Sequence, residues 1–407
     1  MTRSTTARRA GVTLVAALAA VLALVAVVAV YVGAVGPGAG PASAGTSAAD
    51  APPVPAAADA PDLADLEPAD GTTRFGVQLA WTEDDPTSLV GRLGLQPAQY
   101  GIFLDYPLTA ERTDQLLSAA RGAQAQDGDV FLTLEPMDGL TSDTAAAEAL
   151  AGVLRQVNAI GPQVYVRFAH EMNGGWYPWG QQPAAYVAAF RVVAQAVHTD
   201  APGNAMVWSP NYGGGFPFDG GGWTAKPGTA DWSAMDTDGD GALTMADDMY
   251  APFYPGDDAV DWVGLTLYWF GYTWPWGENE VPDAGRFAAQ LTGTYAGGTD
   301  PTMGFAPDET AVPDFYATYA TRKPMALSET GALYNTDATG GADELSIKSA
   351  WMDQVLGLGD EFPRLKMVNW FEHLKSEQEG YGVVDWRATS NPAVLATLQG
   401  VLSVPRY

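Results

Sequence analysis

A chain of 407 residues with 13 Trp and 11% aromatics has apolar mass for one large domain or two smaller ones, with Trp to spare for a ligand surface. Its 48 Asp and Glu against 20 Lys and Arg leave a net charge of -28, a field that repels phosphate backbones and excludes nucleic acid as a partner. The absence of cysteine removes disulfides, thiol catalysis, Cys-based zinc sites and a lipoprotein anchor, and 3 His are too few for a multi-His metal centre.

Arg3, Arg8 and Arg9 precede an almost unbroken apolar run over 12–35, long enough to span a bilayer and lacking the polar face of a core helix. Ala42-Ser43-Ala44 supplies an A-x-A cleavage pattern, so residues 1–44 read as a secretory signal or as an uncleaved signal anchor. Both readings export the rest of the chain, with the three Arg kept inside. The protein is then extracellular, secreted or tethered to the membrane through this segment alone. Residues 45–71, dominated by Ala, Pro, Gly and Asp, read as a disordered tether.

Over 72–407, short apolar runs ending in polar or aromatic residues alternate with helical stretches. The runs lie at 74–81, 100–106, 130–136, 164–171, 205–211, 261–269, 324–331 and 367–373, and the clearest helices at 109–126, 142–160, 183–199, 342–358 and 392–401. This alternation predicts an α/β fold, a (β/α)8 TIM barrel, with an open doubly wound sheet as the second choice. In a barrel the functional groups gather at the C-terminal strand ends. Those ends carry Trp81, Asp105, Glu135, His170-Glu171, Asn211, Tyr268-Trp269, Glu329 and Trp370-Glu372-His373. Carboxylates among flat rings suit carbohydrate, because rings stack on sugar faces while carboxyls work on a glycosidic bond.

Glu171 and Glu329 are the candidate catalytic pair. Glu171 ends the fourth run, and Trp176 and Trp179 would desolvate it and raise its pKa, as a proton donor requires. Glu329 ends the seventh run, opposite the fourth, where facing strand ends bring two carboxyls to the ~5–5.5 Å of a retaining mechanism. Either acid also reads as a structural ion pair, Glu171 with Arg167. His170 reads as a group that contacts the sugar or orients a carboxylate. Trp223, Trp232, Trp274 and Trp276 are further sugar-platform candidates.

A separate pattern spans 236–247. Asp236, Asp238 and Asp240 stand at loop positions one, three and five, Gly241 at six, Ala242 at seven, Thr244 at nine and Asp247 at twelve. This is calcium-loop spacing with Asp in place of the final Glu, and its flanks lack two paired helices. It predicts a structural Ca2+ in an insertion between strands five and six, with no cofactor for the chemistry itself.

The run Arg167-Phe-Ala-His170-Glu171-Met-Asn173-Gly174-Gly-Trp176-Tyr-Pro-Trp179-Gly180 resembles family 26 glycoside hydrolases, and the resemblance extends over about 72–407. It implies a retaining endo-β-glycanase on a (β/α)8 barrel, with β-1,4-mannan as the default polysaccharide. Glu171 would be the acid/base and Glu329 the nucleophile, with Tyr268 contacting the nucleophile and Trp370 flooring the sugar site. His170, Trp176 and Trp179 would complete the substrate contacts. The loop Trp176-Tyr177-Pro178-Trp179 departs from the family's usual Trp-Phe-Trp-Trp. Mixed-linkage β-glucan, β-1,3-xylan and bacterial exopolysaccharide therefore stay open as substrates. The competing class is a non-catalytic, calcium-stabilised carbohydrate-binding protein, and oligomeric state is not legible.

Overall fold

The computed structural model describes residues 66–69, 71–218, 221–272, 277–295, 312–357, 359–377 and 382–404. The expected signal or anchor, nearly all of the tether, Trp274 and Trp276 lie outside the described residues. No helix among the described residues is long and apolar enough to cross a membrane.

Eight parallel strands close into a barrel in chain order: β1 (Arg74–Leu79), β2 (Gln99–Asp105), β3 (Asp129–Glu135), β4 (Val164–Phe168), β5 (Ala205–Trp208), β6 (Trp262–Thr266), β7 (Met325–Thr330) and β8 (Leu365–Glu372). Each falls within or beside one of the eight predicted runs. Pairing of β1 with β8, Phe75 against Val368 through Leu79 against Glu372, closes the cylinder and rules out the open sheet. Helices α1 (Pro86–Leu93), α2 (Ala110–Gln124), α3 (Thr144–Ile160), α4 (Pro183–Asp200), α5 (Ala230–Met235), α6 (Arg286–Leu291), α7 (Glu344–Gly357) and α8 (Pro392–Leu402) lie between and after the strands. A short antiparallel hairpin, β9 (Leu374–Glu377) with β10 (Gly382–Asp385), follows β8. The unpredicted α1 has clear local causes: Asp85 accepts from the Ser88 N–H, a Pro opens the helix, and Gly94 ends it in the left-handed conformation.

Alternation along the strands sorts the side chains into two cores. One parity packs against the helices; the other fills the barrel. Phe131, Tyr165, Ala205, Val207, Trp262, Ala326 and Met367 form the interior floor, and Leu66 plugs it at 0% exposure. The Tyr165 hydroxyl donates to the Leu66 carbonyl at 2.9 Å. The tether therefore ends earlier than residue 71, since a buried leucine and its satisfied carbonyl belong to the domain. Above the floor the interior turns polar, with Gln99 donating to Asn369 at 2.8 Å. Gly101 makes room there, because a Cβ would sit 1.6 Å from the Gln78 side-chain oxygen.

The strand-seven pairing contains an irregularity that decides one site residue. Leu327 pairs with Leu265 but Glu329 with Thr266, and Leu327 pairs with Val368 but Thr330 with Trp370. One extra residue on β7 is a bulge, which re-aims the side chain that follows it. Ala326 faces inward and Thr330 accepts from the Trp351 indole of α7, so Glu329 reaches the interior only because the bulge absorbs a step.

Candidate active site

Arg167 is at the centre of the site. It lies on the inward parity of β4 with no solvent exposure. Its Nη1 donates to Glu329 Oε2 at 2.7 Å, its Nε to Ser209 Oγ at 3.1 Å, and its Nη2 to Thr266 Oγ1. The other Glu329 oxygen accepts from the Tyr268 hydroxyl at 2.5 Å. An ionised Glu329 carboxylate is thus compensated by a guanidinium and a phenol, the conditions under which a buried charge is tolerated.

β4 stops at Phe168 because the backbone then turns left-handed, with φ of 48° at Ala169 and 55° at Glu171. The predicted run over 164–171 overshot the strand for this reason. The turn lifts Glu171 out of the sheet, and its N–H is satisfied by the Ser209 carbonyl at 2.9 Å. Positive φ in a non-glycine residue costs energy and is characteristic of functional sites. Glu171 is 5% exposed, and the Trp176 indole donates to its Oε2 at 2.7 Å. Burial, then the neighbouring Glu329 charge, push its carboxyl up to about 7, against the opposing pull of Arg167 and Trp176. Two carboxyls share one pocket in different surroundings: Glu329 is ion-paired, while Glu171 is favoured in its protonated form.

His170 is 2% exposed and is wedged between Tyr177, Trp179 and Phe103, with ring centroids 4.9, 5.7 and 5.9 Å away. Burial and the charge of Arg167 hold its pKa well below the usual histidine value, so the ring is neutral. Trp176 is half-buried and meets Phe218 edge-on at 5.1 Å.

Two of the expected sugar platforms are corrected. Trp179 has no exposed surface: it stacks on Tyr177 at 4.4 Å, and its indole donates to the His170 carbonyl at 2.6 Å. It is a pillar under the turn that carries Glu171. Trp370 is also fully buried, with its indole donating to the Trp386 carbonyl at 2.9 Å. The physical reason is parity. Met367 and Phe371 face the interior of β8, so Trp370 faces the helices, as does Glu372, which accepts from the Ala388 and Thr389 N–H groups. The ring that borders Glu329 is Tyr268, which packs on Phe371 and on Trp386, itself buried. Tyr268 lies 5.0 Å from Trp386 and 5.8 Å from Phe371. Trp386 was missed because it lies beyond β10 and reaches Tyr268 only through the β9–β10 excursion.

The acidic loop is compact. Asp236, Asp238 and Asp240 each place a carboxylate oxygen within 4.8 Å of the others. Gly241 takes φ of 86° and donates to Asp236 Oδ2 at 3.0 Å, while Asp236 Oδ1 has no partner among the described residues. This donor set suits a hard divalent cation. Asp247 stands apart from it. Its Oδ1 accepts from the Thr237 N–H at 2.7 Å and its Oδ2 from the Thr244 N–H at 2.9 Å. Both oxygens close the loop through the backbone, and Asp247 is not part of the three-Asp cluster.

Fold and site together define a (β/α)8 barrel whose mouth presents two differently tuned buried carboxyls among aromatic rings. The solved structure of a modular endo-β-1,4-mannanase from Cellulomonas fimi, of glycoside hydrolase family 26, is similar over 84% of this chain and 73% of that one, at 17% identity and a TM-score of 0.52. The catalytic domain of a family 26 endo-β-1,4-mannanase from Bacillus sp. JAMB-750 matches over 83% and 87%, at 17% identity and a TM-score of 0.47. The chain shares the barrel fold of the Cellulomonas fimi family 26 enzyme. Endoglucanase H of Acetivibrio thermocellus is 27% identical over 160 residues, which is 37% of this chain but 15% of that protein's length. No protein-family model matches the chain.

Proposed function

We propose that the chain is an exported glycoside hydrolase of the family 26 type, a retaining endo-β-glycanase with β-1,4-mannan as its default substrate. One observation carries the reading: Glu329 is held by Arg167 and Tyr268, beside a Glu171 whose carboxyl is raised to about 7. An ion-paired carboxylate beside a carboxyl raised toward its protonated form is the arrangement of a nucleophile and an acid. Glu329 attacks the anomeric carbon while Glu171 protonates the departing glycosidic oxygen. Water then enters, Glu171 takes its proton, and the glycosyl–Glu329 ester is cleaved to restore the starting anomer. Arg167 and Tyr268 release part of the Glu329 charge as the ester forms and recover it when the ester is hydrolysed. His170, neutral and buried beside Tyr177, contributes a positioned polar edge rather than a base.

The names of the similar proteins, mannanases and an endoglucanase, support a polysaccharide substrate. Tyr177-Pro178 keeps β-glucan, xylan and exopolysaccharide in the panel. The 236–247 loop holds a structural Ca2+ through Asp236, Asp238 and Asp240, with the Ala242 carbonyl and Thr244 as further ligands. Export rests on the apolar run over 12–35.

The test is hydrolysis of mannan, mixed-linkage glucan, β-1,3-xylan and bacterial exopolysaccharides by the full chain, with proton NMR of the first product. Glu329→Ala is expected to lose activity by at least about 10³-fold and the first product to keep its anomeric configuration. Full activity in that variant removes the mechanism, and an inverted product removes the covalent step. Sugar binding without hydrolysis of any panel member favours the non-catalytic alternative.

A further inference from the structure

Glu135 is the last residue of β3, and its parity is inward because Phe131 belongs to the barrel floor. It pairs in register with Asp105 of β2, and Leu134 before it pairs with Phe168 of β4, which places Glu135 beside the turn that carries Glu171. It is 8% exposed, and its carboxyl bonds no described residue, yet its oxygens are not among the polar atoms sealed from solvent, so they keep contact with water at the barrel mouth.

That isolation sets it apart from the other buried acids. Glu329 has Arg167 and Tyr268, Glu171 has Trp176, Asp385 has Arg387, and Glu372 has two backbone N–H groups and a hydroxyl. A largely buried carboxyl with no protein partner, whose oxygens still reach water at a strand end, is placed to bond a ligand that displaces that water. Among the described residues, the guanidiniums on its neighbouring elements are already engaged. Arg167 is committed to Glu329, Ser209 and Thr266, and Arg112 donates twice to Asp105. Its surroundings are acidic: Asp105, Glu329 and Glu171 all act on it, and with burial they push its carboxyl up to about 7.

We propose that Glu135 is a substrate-binding residue that hydrogen-bonds a hydroxyl of the sugar seated over the β3–β4 side of the barrel mouth. The proposal rests on the glycosidase reading. A sugar hydroxyl replaces the water on these oxygens and bonds the carboxyl directly.

The experiment measures kcat and KM of the full chain and its Glu135→Gln and Glu135→Ala variants, on the neutral panel glycan that the unaltered chain cleaves fastest. In parallel, calorimetry follows the matching hexasaccharide, β-1,4-mannohexaose in the default case, binding to Glu329→Ala with and without Glu135→Ala. Glu135→Ala is expected to raise KM and weaken calorimetric binding about tenfold or more, with kcat changed less than about threefold. Glu135→Gln keeps the shape and part of the hydrogen bonding, so it is expected to recover most of the binding. Unchanged KM and unchanged hexasaccharide binding in Glu135→Ala overturn the proposal. So does a loss of kcat alone that follows lowered thermal stability in both variants, because that pattern is structural. If Glu329→Ala stays fully active, the glycosidase reading itself has failed; if it is inactive while Glu135→Ala is silent, only the role of Glu135 has.

Discussion

The Arg167 guanidinium donates to Glu329, Ser209 and Thr266 from a position with no solvent exposure, so removing it strands a carboxylate in a dry pocket. Arg167→Met is expected to lower kcat/KM by at least about 10²-fold and to destabilise the fold by about 3–5 kcal/mol, read by urea denaturation. Arg167→Lys restores only part of either loss, since one ammonium group does not reproduce a planar fork to three acceptors. The protonation states give a second expectation at this scale. Glu171 must carry a proton to act as an acid, so the rate is expected to fall as pH rises through about 7. Stability follows the same sign. Glu135 in the folded chain keeps a proton up to about 7 that the unfolded chain releases near 4.5. Its contribution is fully present below 4.5 and is lost as pH rises through 7. Glu135→Gln should therefore raise Tm by a few degrees at pH 8 and leave it unchanged at pH 4; a Tm gain at acid pH would contradict this.

At the scale of elements, the turn after β4 separates two tryptophans that look equivalent in the sequence. Trp179 stacks on Tyr177 and supports the His170 carbonyl, so Trp179→Ala opens a cavity and is expected to cost about 3–5 kcal/mol of stability. Trp176 is half-buried and donates to Glu171, a bond that lowers the acid's pKa. Trp176→Phe should keep stability to within about 1 kcal/mol and move the alkaline limb of the rate profile to higher pH. A pH profile unmoved in Trp176→Phe would show that the bond does not tune the acid. The β7 bulge belongs to the same scale. Without its extra residue the strand would turn Glu329 toward α7, on the side where Thr330 meets Trp351.

For the whole molecule, the proposed Ca2+ in the acidic loop would join stability to ion supply. Three converging carboxylates repel one another until a cation neutralises them, so excess Ca2+ over chelator is expected to raise Tm by several degrees, and Asp238→Asn with Asp240→Asn to abolish the rise. Identical melting in Ca2+ and chelator would exclude the ion. The net charge of -28 disfavours anionic glycans at long range.

Much of this was legible before any coordinates. Eight apolar runs spaced by helices contain the barrel, because strand burial and helix periodicity are local properties of the chain. The pair Glu171 and Glu329 was legible too, as acids at the ends of such runs. What local pattern does not carry is which way a side chain faces once pairing departs from strict alternation. The β7 bulge turns Glu329 inward, β8 parity turns Trp370 outward, and the left-handed turn buries Trp179 while leaving Trp176 partly open. Trp386 packs on Tyr268 only through a hairpin far from β6 in sequence, and Glu135 stands out only once every nearby donor has a partner of its own. Sequence settled which strand ends bear chemistry; closure of the barrel settled which of those groups meet, since contacts across a cylinder depend on register and not on spacing along the chain.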